Sequence, residues 1–92
     1  MNRTITVIDR GTGIYKDKLP IIFGTYTEDG TGIGLQLVKR ILDLRGGYAE
    51  VTSTQLGAPT FKYNTSSGEL QQIQQYPQGT TFRLYFPKFN VF

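Results

Sequence analysis

The chain has 92 residues, 38% of them hydrophobic, and a formal net charge of +3 from ten lysines and arginines against seven aspartates and glutamates. This length allows one small domain with a modest core. The absence of cysteine and histidine excludes disulfides, thiolate and imidazole metal ligands, a histidine base and a phospho-accepting histidine within these residues. The dispersed positive charge suits an anionic ligand but does not predict nucleic-acid binding. No apolar run approaches the ~20 residues of a membrane span, so we expect no membrane segment and a cytoplasmic location.

The N-terminal third predicts a strand, a short helix and a loop. Residues 4–8 alternate polar and β-branched apolar side chains, which predicts a strand that ends at Asp9. After a glycine turn, residues 15–23 predict a short helix that Pro20 starts or interrupts. Residues 25–31 are polar and carry no period, which predicts a mobile loop.

The centre of the chain predicts one main amphipathic helix. From Gly32 onward, apolar side chains recur at spacings of three and four while polar side chains occupy the opposite face. Gly46 and Gly47 then supply the usual ending of a helix. The apolar stripe consists of Ile33, Leu37, Ile41 and Leu44, with Val38 and Leu42 beside it.

The second half of the chain predicts strands. Residues 48–54 and 80–86 alternate strongly, and residues 60–63 and 70–73 flank a polar turn, which predicts a protruding β-hairpin. The expected fold class is therefore α+β. We expect a two-layer sandwich in which one main helix and a short second helix pack on a mixed or antiparallel sheet.

Three glycine clusters lie at predicted strand or helix ends, at residues 9–13, 30–34 and 79–81. Glycines at a helix entrance let the backbone approach a ligand closely, and the free N–H groups there attract phosphate. Taken singly, each cluster also fits an ordinary loop or cap. Asp9 could likewise accept a hydrogen bond from a bound ligand or simply form an Asx-turn.

Taken together, the order and spacing of these clusters resemble the ATP-binding domain (the Bergerat fold) shared by histidine kinases, gyrase, the heat-shock chaperone and mismatch-repair ATPases. The histidine kinase branch is the most similar. Its pattern runs D-x-G-x-G-I, I-F, a variable lid, G-T-G-L-G-L, I-V-K-x-I, G-G, G-T-x-F and a strand ending in proline. The chain supplies these elements as residues 9–14, 22–23, 30–35, 37–41, 46–47, 79–82 and Pro87.

That resemblance implies roles for individual residues. Asp9 is expected to accept the adenine amino group, Gly13 to let the base lie close to the backbone, and Thr80 to hold the base through water. The resemblance places the triphosphate along the second glycine cluster and the start of the main helix. The remaining nucleotide-binding positions are Gly11, Gly30, Thr31, Gly32, Gly34 and Leu35.

Four further side chains have two readings each. Phe23 matches the aromatic residue before the lid but could equally pack in the core, and Tyr26 could stack on the nucleotide or vary freely. Lys39 and Arg40 lie on the polar face of the main helix, where side chains are most often solvated; a phosphate contact is the alternative.

The resemblance also implies parts that this sequence lacks. In the family, an asparagine and a nearby acidic residue upstream of the first glycine motif coordinate the magnesium ion that bridges the phosphates. No matching helix precedes Asp9, so we expect these residues alone not to support efficient phosphoryl transfer. Arg10 and Arg45 replace a common asparagine and histidine, and residues 56–78 replace a short turn. Such an insertion could contact a partner, although most are neutral.

Two functions remain open. The first is a single ATP-binding domain over residues 1–92, with a hairpin inserted at about residues 56–78, that binds ATP or ADP and serves a histidine kinase. Its partner would be the kinase's dimerisation and phospho-acceptor domain, which would carry the histidine. The alternative is a non-catalytic remnant of the fold that binds a protein or forms a homodimer.

Overall fold

The computed structural model describes residues 2–24 and 33–87 of the chain. The predicted loop at residues 25–31, with Tyr26, lies outside these residues. Five strands and one α-helix follow in the order β1 (Asn2–Asp9), α1 (Ile33–Leu44), β2 (Tyr48–Thr54), β3 (Thr60–Asn64), β4 (Glu69–Ile73) and β5 (Gly79–Pro87). The α+β fold class is confirmed. Within the described residues no helix is long and apolar enough to cross a membrane.

The five strands form one sheet in the order β1-β5-β2-β3-β4, and every neighbouring pair is antiparallel. Of the mixed and antiparallel alternatives, the antiparallel one is therefore correct. The predicted hairpin is present as β3 and β4, and it continues the sheet beyond β2 instead of projecting out of the sheet plane. β5 lies between β1 and β2, and this arrangement places the two glycine-flanked strand ends beside each other.

The main helix ends where the sequence predicts. α1 stops at Leu44, and Gly46 follows in the left-handed region with φ +70°. The Gly47 N–H donates to the Leu42 carbonyl at 2.7 Å, and the Gly46 N–H donates to the Asp43 carbonyl at 3.3 Å. These two bonds satisfy carbonyls of the last turn and turn the chain directly into β2.

The predicted short helix at residues 15–23 is reduced to a single 3-10 turn at Leu19–Ile21. Its hydrogen bonds join residues three apart, as from Ile21 N to the Lys18 carbonyl at 3.0 Å and from Gly24 N to the Ile21 carbonyl at 3.0 Å. Pro20 lacks an N–H, so an α-helix through this segment would lose a backbone bond at its centre. The prediction of a second helix was therefore wrong in type, although three of its apolar side chains, Leu19, Ile22 and Phe23, are buried.

The core lies between this turn, α1 and one face of the sheet. Alternation along β2 places Ala49 and Val51 on that face, where both are 0% exposed. β1 lies beyond β5, farther from the helix, and its apolar side chains Ile5 and Val7 stay 52% exposed on the same face. The buried apolar residues are Leu19, Ile22, Phe23, Leu42, Ala49 and Val51.

Candidate functional site

Three polar side chains meet at one end of the sheet. The register pairs Asp9 of β1 with Thr80 of β5, and pairs Thr80 in turn with Ser53 of β2. Because side chains alternate along a strand, Ser53 shares the face of Ala49 and Val51, which is the face covered by the helix. Asp9 and Thr80, to which the resemblance assigns the adenine contacts, therefore lie on the helix side of the sheet.

Ser53 joins the first glycine loop to β5. The Ile14 N–H donates to Ser53 Oγ at 2.7 Å, and Ser53 Oγ lies 2.8 Å from Thr80 Oγ1. Both hydroxyl-bearing residues are buried, with Ser53 2% and Thr80 6% exposed. Since an unpaired buried polar group is costly, this chain of bonds fixes the loop against the strand.

Ser53 was not among the sequence-predicted site residues. A signal for it exists in β2, where the inward positions run Ala49, Val51 and Ser53. A hydroxyl at a position that alternation assigns to the core needs a buried hydrogen-bond partner. The sequence alone did not show that this partner is Thr80.

Asp9 is exposed, and only one of its two carboxylate oxygens accepts a hydrogen bond from the described residues. Its Oδ1 accepts a hydrogen bond from the Gly11 N–H at 2.7 Å, which is the Asx-turn that the sequence left as an alternative. Its second oxygen, Oδ2, accepts no hydrogen bond from residues 2–24 or 33–87. The Asx-turn therefore orients the carboxylate and leaves one oxygen for another donor.

Gly13 has a structural reason to be glycine. Its φ is +83°, and a Cβ built on it would collide with the Thr54 carbonyl oxygen of β2. Only glycine accommodates both the left-handed backbone and this close approach. The first glycine loop thus lies directly against the end of β2, next to Ser53.

Only some of the positions predicted to bind the triphosphate lie within the described residues. Gly34 lies in the first turn of α1, and Leu35 is half-buried and packs against the core, which gives Leu35 a structural role. Gly30, Thr31 and Gly32 lie outside the described residues. Of the nine predicted binding residues, the structure brings four together at the sheet end: Asp9, Gly11, Gly13 and Thr80.

Two of the side chains with open roles are structural. Phe23 is 6% exposed and makes an edge-on contact with Phe82, with ring centroids 6.3 Å apart, so its core-packing role is confirmed. Lys39 Nζ pairs with Asp43 one helical turn later at 2.8 Å. That ion pair engages the lysine on the surface of α1.

The residues that the structure describes do not fit the magnesium ion that the resemblance implies. Among residues 2–24 and 33–87, no group of three or more acidic side chains lies close enough to hold a metal ion.

Comparison with known proteins assigns the chain to a family. The family described as "Histidine kinase-, DNA gyrase B-, and HSP90-like ATPase" matches residues 1–90. Sensor histidine kinase ZraS of Salmonella typhimurium is 46% identical over 52 residues, which cover 53% of this chain and 11% of that protein. Sensor protein KdpD of Clostridium acetobutylicum is 34% identical over 67 residues, covering 63% of this chain and 7% of that protein. Probable histidine kinase 5 of Oryza sativa subsp. japonica is 36% identical over 72 residues, covering 68% and 6%.

The chain thus spans about a tenth of the length of these relatives or less. The match to the family extends over almost all of its own residues. It includes the strand ends that carry Asp9 and Thr80 and the start of α1. The chain belongs to the histidine kinase-, DNA gyrase B- and HSP90-like ATPase family.

Proposed function

We propose that this chain is ATP-binding sequence of a sensor histidine kinase, holding adenine nucleotide for phosphoryl transfer to a histidine outside these 92 residues. The observation that carries the proposal is the meeting of Asp9 and Thr80 on one sheet face, with the Gly13 loop fixed beside them. The relatives named as sensor histidine kinases support it. The acceptor must be elsewhere because the chain has no histidine.

Asp9 suits the recognition of adenine. Its Oδ1 is held by the Gly11 N–H, and its free Oδ2 can accept a hydrogen bond from an exocyclic amino group. Adenine presents such an amino group, whereas guanine presents a carbonyl oxygen at the same ring position. A carboxylate facing that oxygen would repel it, so the pocket should prefer adenine.

Thr80 suits a bridging role. Ser53 Oγ accepts the Ile14 N–H, and the Ser53 proton has two acceptors in reach, Thr80 Oγ1 at 2.8 Å and the Gly79 carbonyl at 3.4 Å. The shorter bond is the stronger, so we propose that Ser53 donates to Thr80. The Thr80 proton is then free to bind a water or the base.

The wider proposal concerns the whole unit. We propose one domain over residues 1–92, a two-layer sandwich with a hairpin inserted at about residues 56–78, working in the cytoplasm where ATP is available. Its ligands are ATP and ADP. Its protein partner is the dimerisation and phospho-acceptor domain of the kinase, and the transferase activity belongs to the two together.

The test is a titration of the isotope-labelled chain with ATP and with GTP, each with and without magnesium, followed by NMR. We expect saturable shifts at the amides of Gly11, Gly13 and Gly34 with ATP and not with GTP. Asp9→Asn should abolish this preference, because an amide can also donate to the guanine carbonyl. Asp43→Asn removes an exposed carboxylate on α1 and should leave it unchanged. Unmoved amides at millimolar ATP would contradict the proposal.

A second candidate is a non-catalytic interaction or dimerisation module, favoured by the exposure of apolar side chains on β1 and α1. Sedimentation of the nucleotide-free chain separates the two candidates. Self-association without nucleotide-induced shifts would support the module, and a monomer that binds ATP would exclude it. The exposed side chains are Ile5 52%, Val7 52%, Leu37 56%, Ile41 43% and Leu44 79%.

A further inference from the structure

A cavity of about 340 Å³ lies on the sheet, and most of its lining comes from the face opposite α1. Alternation places Thr52, Thr81 and Arg83 on that face, because their neighbours Val51 and Phe82 point into the core. Asp9 and Thr80 also contribute to its lining, although alternation points their side chains to the helix face, so the cavity adjoins the predicted adenine contacts at the sheet end. Its volume falls in the range of small-molecule sites, ~300–1,000 Å³. We call it the outer cavity.

One wall of the outer cavity is built by residues 76–78, which follow β4. The Tyr76 N–H donates to Thr60 Oγ1 at 2.9 Å, and Thr60 Oγ1 lies 2.6 Å from Thr54 Oγ1. Thr54 is 3% and Thr60 0% exposed, so this anchor is buried. The Gln75 side chain adds a bond to the Ala58 carbonyl at 3.0 Å. These bonds hold the wall in place over the sheet.

The charged side chains that line the outer cavity differ in the partners that they have within the chain. The Glu50 carboxylate accepts hydrogen bonds from the Tyr85 hydroxyl at 2.9 Å and from the Asn64 side-chain amide at 3.4 Å. It also lies 3.7 Å from Lys62 Nζ. Two guanidinium groups, those of Arg10 and Arg83, also line the cavity. Neither forms an ion pair with any residue in the described parts of the chain. Three cations, Arg10, Lys62 and Arg83, line the cavity against two carboxylates, Asp9 and Glu50, so the lining has a net positive charge above threonine hydroxyls.

We propose that the outer cavity binds a small anion that carries a phosphate group. Guanidinium groups donate paired N–H bonds that match phosphate oxygens, Lys62 adds a third cation, and the Thr52 and Thr81 hydroxyls can donate to the remaining oxygens. The site uses mainly the opposite face of the sheet from the predicted adenine contacts, and it shares Asp9 and Thr80 with them only at the sheet end. It does not rest on the function proposed above.

The probe for the test is inorganic phosphate, titrated at constant ionic strength into the labelled chain and followed by NMR. We expect saturable shifts at the amides of Thr52, Thr81 and Arg83. Arg83→Gln should weaken phosphate binding by about tenfold or more, since a charge-assisted hydrogen bond is lost. Arg3→Gln removes an exposed arginine at the far end of β1, outside the cavity lining, and should leave the affinity unchanged. A parallel titration with glycerol 3-phosphate shows whether the free ion or an ester binds more tightly.

Three results would overturn the proposal. They are shifts that rise linearly without saturation, equal weakening by Arg83→Gln and Arg3→Gln, or displacement of phosphate by ATP with shifts confined to Gly11 and Gly13. The spectrum of Arg83→Gln without ligand shows that the variant is folded. Phosphate shifts at Thr52 and Thr81 with no response of Gly11 and Gly13 to ATP would support the outer cavity and contradict the nucleotide proposal. The two ideas can therefore fail separately.

Discussion

The side-chain oxygens of Ser53 and Thr80 lie 2.8 Å apart in the buried end of the sheet, and Ser53 also accepts the Ile14 N–H at 2.7 Å. Ser53→Ala would leave both the Ile14 N–H and the Thr80 hydroxyl short of a partner. We expect the free energy of unfolding to fall by ~1–3 kcal/mol. We also expect weaker adenine binding, because the glycine loop loses its anchor. Urea unfolding and ATP titration measure the two effects.

Ser66→Ala is the control for that substitution. Ser66 is exposed in the turn between β3 and β4, where its backbone N–H, and not its hydroxyl, bonds to Asn64. A surface change of this kind should alter stability by no more than ~0.5 kcal/mol. Equal losses for Ser66→Ala and Ser53→Ala would mean that the buried bonds contribute nothing measurable.

Gly13→Ala should destabilise the chain more than Gly57→Ala does. Both glycines have positive φ, +83° and +72°, so both substitutions carry the left-handed penalty of ~1–2 kcal/mol. A Cβ at Gly57 meets nothing within 4 Å, whereas a Cβ at Gly13 collides with the Thr54 carbonyl oxygen. Thermal unfolding of the two variants isolates this contact. Equal melting temperatures would show that the loop moves away from β2 at no cost.

Leu42→Ala should cost ~2–5 kcal/mol, because Leu42 is 1% exposed and its truncation leaves a cavity between α1 and the sheet. Leu44→Ala, two residues later on the same helix, is the matched control. Leu44 is 79% exposed, so its truncation should change stability by no more than ~0.5 kcal/mol. Denaturant unfolding of both variants tests the helix orientation. A larger loss for Leu44→Ala would mean that α1 presents its other face to the core.

The Tyr85 hydroxyl should lose its proton at a higher pH than an ordinary tyrosine does. Burial, followed by the hydrogen bond and negative charge of Glu50, raises the pKa of the Tyr85 hydroxyl above its ordinary value of 10.0. The folded chain then keeps this proton to a higher pH than the unfolded chain. Its contribution to stability is complete below pH 10.0 and is lost as the pH rises through the folded value.

Two substitutions move this titration in opposite directions. Glu50→Gln should lower the Tyr85 pKa, because the carboxylate raises it, and Arg83→Gln should raise it, because the arginine lowers it. Glu69→Gln, on the exposed strand β4, is the control and should not change it. Phenolate absorbance, with the Tyr85→Phe variant subtracted, reports this one tyrosine. A pKa that does not respond to Glu50→Gln would exclude the carboxylate as a cause.

The fold was predictable from the sequence to different degrees. Alternation gave the bounds of β2 correctly, and the three-and-four spacing with Gly46 and Gly47 located α1, because both signals are local. The segment around Pro20 was predicted as a helix because its apolar residues need cover. A 3-10 turn, whose hydrogen bonds join residues three apart, can bury apolar side chains without an α-helix. Composition alone does not distinguish a 3-10 turn from a short α-helix.

The site residues could be predicted where the resemblance to the family assigned a role to each position. The glycine spacing identified Asp9 and Thr80 as candidate site residues. Their adjacency depends on β5 pairing between β1 and β2, which joins residues far apart in the sequence. Ser53 shows the same limit, since its partners are 27 and 39 residues away in sequence. The outer cavity depends on the course of the chain after β4, for which the polar run of glutamines gave no signal.

The hairpin of β3 and β4 has a consequence for how β2 behaves in a crowded solution. Because β3 pairs along residues 50–54, the backbone N–H and C=O groups on that side of β2 are occupied, and the free edge is moved outward to β4. The edge strand then carries Glu69, Gln71 and Gln72 in place of the buried Val51 and Ser53. A polar edge resists pairing with other chains better than an apolar one does. The hairpin therefore occupies that edge of β2, the strand that anchors the candidate site, and leaves it no free groups for pairing with another chain.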